Sequence, residues 1–149
     1  MNTRSVVIAG TTGTTFMTIF SYLVSETKDK NHKEPDLLGK LVQDLTPKLK
    51  EKYSAAAGWT IHYITGLVFA ACLINEWEKD GHKATLISGL VLGALSGVAG
   101  AAIWKMIFQS HPAPPSIDYK SYYKHLVLAH AVFGVFTAIG YNLTKNKNK

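Results

Sequence analysis

The chain has 149 residues, of which 47% are apolar and 17% charged, and a net charge of +6. That length leaves room for one domain. Acids are absent from residues 1–25, 52–75, 81–117 and 119–149, so charge gathers at the edges of long apolar blocks. Basic flanks around apolar runs orient membrane spans. A nucleic-acid binder would instead carry a basic face with interleaved aromatics on a soluble fold, and no such pattern is present. A single cysteine, Cys72, rules out an internal disulfide and a thiolate metal cluster.

A hydrocarbon layer about 30 Å thick needs about 20 apolar helical residues, and four segments meet that need: 5–24, 54–74, 84–108 and 122–143. The first follows a short basic start in the manner of a signal peptide. It is long for one, however, and no small-residue cleavage site follows it, so it is expected to stay as a span. Thr11, Thr12, Thr14, Thr15 and Thr18 make it too polar to face lipid all round. Residues 25–53 form a charged connection with seven lysines and six acids. Within it, Pro35 and Asp36 open an amphipathic helix with Leu37, Leu38, Leu41, Val42 and Leu45 on one face, and Pro47 ends or kinks it. That helix either lies in the membrane interface or caps the bundle.

The second span holds Trp59, His62 and Gly66. A short hairpin, 75–83, leads to the third, with Glu76, Glu78 and Asp80 read as a solvated turn. Gly89, Gly93 and Gly97, with Gly100 beyond, strip one face of the third span so that another helix can come very close. Gly10 and Gly13 give the first span a similar face. Lys105 is expected to snorkel to the surface. The proline-rich 109–121 stretch is expected to be non-helical, and the tail 144–149, alternating lysine with asparagine, is expected to be disordered. Tyr22, Tyr53, Trp59, Trp104, Tyr119, Tyr122 and Tyr123 gather at one end of the bundle, with Trp77 and Tyr141 at the other. The fold class is therefore all-α, an integral membrane four-helix bundle in a single membrane domain. An internal repeat is also suggested: a shift of 68 lays His62-x3-Gly66-x3-Ala70 on His130-x3-Gly134-x3-Ala138, and a shift of 87 lays Gly10 and Gly13 on Gly97 and Gly100.

His62 and His130 are the candidate site. Ionisable residues at membrane depth usually face the bundle interior. Three uses compete: a hydrogen-bonded lock onto Thr14, Thr15, Ser96 or backbone carbonyls; axial ligation of a haem b, with Gly66 and Gly134 making room for the macrocycle; or a proton or small-solute path with His125 and Lys105 nearer its mouth. His32, His82 and His111 are expected to be solvated. Neither a catalytic motif nor a carboxylate at the histidines' depth is apparent, so no zinc or copper site and no enzyme is expected.

The Gly-x2-Gly-Thr-Thr-Phe-Met run at 10–17, Gly58-Trp59-x2-His62-x3-Gly66 and His130-x3-Gly134 together resemble small bacterial four-span inner-membrane proteins of families without a known function. The resemblance implies a four-helix fold in the inner membrane and carries over no functional residue. His111-Pro112-Ala113-Pro114-Pro115 departs from the single proline with which many such relatives end the third span. The expected partners are the lipid bilayer and a membrane complex or a second copy of the chain, the latter docking through an exposed glycine face.

Overall fold

The computed structural model describes residues 1–28, 30–79 and 83–146. Five helices follow one another: α1 (Thr3–Lys28), α2 (Glu34–Leu45), α3 (Glu51–Glu78), α4 (Leu86–Ser110) and α5 (Tyr119–Asn146), with no strand among the described residues. The protein is an all-α bundle, and α1, α3, α4 and α5 are long and apolar enough to cross a membrane. At 1.5 Å per residue the longest reach about 42 Å, more than a hydrocarbon layer.

Polar caps set the start of two of the long helices. Thr85 and Ser88 cap each other's backbone reciprocally, which starts α4 at Leu86, after the expected 84. Asp118 accepts from the Ser121 N–H at 3.0 Å and starts α5 three residues early. Pro35 lies in the first turn of α2, where its missing N–H costs nothing. The tail is ordered as far as it is described. Thr144 is buried and hydrogen-bonds Ser5 Oγ at 2.8 Å, so α5 continues to Asn146; residues 147–149 lie outside the described residues. The 75–83 hairpin is likewise helical through Glu78, whose carboxylate pairs with the Met1 amine at 2.8 Å and accepts from the Tyr141 hydroxyl at 3.1 Å. Glu78 is thus an exposed tie between elements at the end of α3, helical where a turn was expected. Asp80 and His82 lie outside the described residues.

Packing is uneven. α5 lies along both α4 and α1, α1 lies along α3, and α2 lies on α3, whereas α3 meets α4 and α5 only at isolated points. The α4 glycines explain the first of these contacts. A Cβ at Gly89 would sit 3.0 Å from the Gly134 carbonyl carbon, and one at Gly97 would sit 2.7 Å from Val127 Cα. Gly10 faces Leu67 and Ala70 of α3, and Gly13 faces Phe133 and Thr137 of α5. This glycine face is therefore buried inside one chain, and a second copy has no exposed glycine face of α4 to use. Between α2 and α3 the same device recurs at Gly39 and Gly58, where a Cβ on Gly58 would lie 2.8 Å from Gly39 Cα. Leu37 and Leu41 of α2 pack with Trp104, Phe108, Tyr122 and Leu126, so α2 is a cap on the bundle end. At the opposite end Trp77 and Tyr141 close a core with Ala9, Ala70, Ile74, Phe133 and Ala138.

The repeat survives in helix order and not in packing. Gly66 faces Thr14, while its counterpart Gly134 faces Gly89 and Gly93. The α1–α5 seam is closed; its counterpart, α3–α4, is open.

Candidate functional site

Thr14, Thr18, Ser21 and Ser25 fall at helical spacing on one face of α1, and all four are buried. Three of them carry groups from other elements. Thr18 Oγ1 gives its proton to the Thr14 carbonyl at 2.7 Å, so it can only accept from His62 Nε2, 2.8 Å away. Ser21 Oγ donates to Glu34 Oε1 at 3.2 Å and so accepts from His125 Nε2 at 2.9 Å. Ser25 Oγ gives its proton to the Ser21 carbonyl and receives the backbone N–H of His32 at 3.0 Å. One hydroxyl ladder thus fixes the Nε2–H tautomers of two neutral imidazoles.

Glu34 enters this interior from the first turn of α2 and is only 1% exposed. Burial pushes its carboxyl up to about 8, so it is predominantly a carboxylic acid at neutral pH. Its Oε2 has no partner among the described residues, and the same is true of Thr14 Oγ1. His32 is buried too, 4.4 Å from the His125 ring centroid, and burial holds its pKa below the usual range. The expectation of a solvated His32 is therefore corrected: α2 folds back over the bundle end and carries the preceding loop inward. His111 is half-buried, with Nε2 donating to the Leu41 carbonyl at 3.2 Å. Lys105 and Cys72 are exposed on the outer surface.

His62 and His130 are each the twelfth residue of their helix, about 16 Å from its start. Both line one cavity of about 130 Å³ in the open α3–α4 seam, with Glu34 also in its wall. Exposed Ile61 and Ile103 line it as well, so its mouth lies on the outer face between α3 and α4. His130 Nδ1 donates to the Leu126 carbonyl at 2.9 Å, which leaves Nε2 of the neutral ring as a bare acceptor. Of the expected locks, only the backbone carbonyl is found. Thr15 bonds Tyr63 and Ser96 bonds the Gly93 carbonyl, while Thr18, one turn along from Thr14, takes His62.

The pair does not fit a haem in this arrangement. His62 Nε2 is engaged by Thr18, and the cavity of about 130 Å³ falls well short of the roughly 300 Å³ at which pockets for drug-sized ligands begin, whereas a haem is larger still. Gly66 and Gly134 make room for helices, not for a macrocycle. Among the described residues no group of three or more potential metal ligands comes together. No family model matches the chain, and the curated proteins and solved structures offer no match either.

Sequence reasoning passed over Glu34, Ser21 and Ser25 and placed His32 in solvent. The hydroxyl stripe was discoverable from its spacing. Glu34 was not, because nothing in a run of alternating lysines and acids distinguishes the one that turns inward.

Proposed function

We propose that the protein is a multi-pass protein of the bacterial inner membrane that binds one small, neutral, lipid-soluble molecule in the α3–α4 cavity. The molecule enters sideways from the bilayer. The observation that carries this reading is the open seam: α4 and α1 are packed tightly on α5, yet α3 and α4 part over a cavity lined by His62 and His130 that opens beside Ile61 and Ile103. The glycines of α4 act as a packing zipper that fixes one wall of the cavity, and the role is one of binding or accessory function, not catalysis. Support for the inner membrane rests on the resemblance of the spans.

A transmembrane proton path has less support. Polar groups run from the α2 end to the cavity, and beyond it Ala9, Ala70, Ile74, Phe133 and Ala138 form an apolar core. The test is binding of hexylbenzene and 4-hexylphenol to the purified protein in lipid nanodiscs, measured by calorimetry. Saturable one-to-one binding of at least one, weakened by Phe at both Thr65 and Ile103 at the mouth, is expected. Failure of both probes to bind would remove the proposal. A Soret band that disappears in His62→Ala would restore the haem reading.

A further inference from the structure

The shape, size and donor pattern of the cavity narrow what it takes; the inference rests on the binding role proposed above. Its volume of about 130 Å³ is close to that of an engineered apolar cavity, roughly 150 Å³, that accepts benzene. Phe69, Trp104 and Phe133 line it, so its walls suit a flat ring better than a flexible chain. Its mouth, beside Ile61 and Ile103, gives an apolar substituent a way out into lipid.

One polar atom in its wall is specific in kind. His130 Nε2 has no partner among the described residues and, with Nδ1 donating to Leu126, can only accept. A ligand that satisfied it would have to donate a proton to an imidazole nitrogen. A ketone, ester or ether can only accept. An ammonium or a carboxylate would bring an unpaired charge into an apolar cavity.

We infer that the cavity receives a hydroxylated aromatic ring, the head of a phenol- or quinol-type lipid, with its O–H donated to His130 Nε2. The apolar tail leaves between α3 and α4. A ligand hydroxyl gives this bare acceptor a donor, and a hydrocarbon of the same shape gives it none.

Three probes of one shape test this on the intact protein in nanodiscs: 4-hexylphenol, 4-hexylanisole and hexylbenzene. The expected result is that the phenol binds at least ten-fold more tightly than the ether or the hydrocarbon, and that His130→Phe erases the advantage. Equal binding of all three would overturn the inference and leave the cavity reading standing. Equal binding of phenol and ether, both above hexylbenzene, would also overturn it, because donation to the imidazole would then contribute nothing. If none binds, the cavity reading falls and this inference with it. The wild-type comparison needs no variant, so it decides even if His130→Phe fails to fold.

Discussion

Glu34 is held by the fold in the protonation state that water would deny it. Its carboxyl rises from an ordinary 4.5 to about 8 because burial disfavours the charge. Between those two values the folded protein binds more protons than the unfolded one, so stability falls as pH rises through the window, by up to about 1.4 kcal/mol per pH unit. His32, with its pKa lowered by burial, acts in the opposite sense, since charging it below about 6.5 favours the unfolded chain. The Glu34 contribution is therefore isolated by difference. Thermal unfolding in detergent should show wild type losing stability from pH 5 to 8 relative to Glu34→Gln, whose amide does not titrate. Parallel curves for the two proteins would mean that the acid is not buried as described. Thr18 offers a second residue-scale prediction. Thr18→Val keeps the shape and leaves the His62 Nε2–H without an acceptor in the interior, a loss of about 1–3 kcal/mol. Stability measured alongside Thr18→Ser, which restores the hydroxyl, should separate the lost hydrogen bond from lost packing.

At the scale of elements, the four long helices were legible because each carries an unbroken apolar run, and lipid demands about 20 such residues. Their ends were less so, because Asp118, Thr85 and Ser88 extend or delay a helix through caps that hydropathy does not register. The placement of α2 was left open between interface and cap, and the deciding contact is the glycine pair Gly39 and Gly58, one of which stands in the charged connection. Without that close approach α2 could not carry Glu34 and the preceding His32 into the bundle. Hence the candidate site was half visible: His62 and His130 stood out as ionisable groups in apolar runs, while the groups brought by α2 depended on a tertiary contact. Gly58→Leu tests this dependence. The new side chain would drive into the α2 backbone, and overpacking of this kind typically costs 1–3 kcal/mol or more. Limited proteolysis should then cut the 25–53 connection much faster than in wild type, with the four spans still folded. Equal cleavage rates would show that α2 is held by Leu37 and Leu41 alone.

For the molecule as a whole, the question is whether the small-residue faces join helices within one chain or between chains. Here they are internal. Gly89, Gly93 and Gly97 meet the α5 backbone around Val127, His130 and Gly134, while Leu90, Leu95, Val98 and Met106 of the same helix point outward as a surface suited to lipid. In a bilayer, where apolar burial between helices gains little, close backbone contact of this sort is a principal source of cohesion. Gly93→Leu should consequently strike the fold itself, since a side chain there enters the backbone of His130 and Gly134 and forces α4 off α5. The expected outcome in mild detergent is a drop in melting temperature of several degrees, with the mass per particle from light scattering unchanged. Leu95→Ala, on the outward face of α4, serves as the control and should leave both quantities where they were. An intact melting temperature together with a halved particle mass would place the glycine face between two chains and undo the arrangement described. Because α4 also forms one wall of the cavity, the same variant should lose 4-hexylphenol binding, which links the packing of α4 on α5 to the shape of the site.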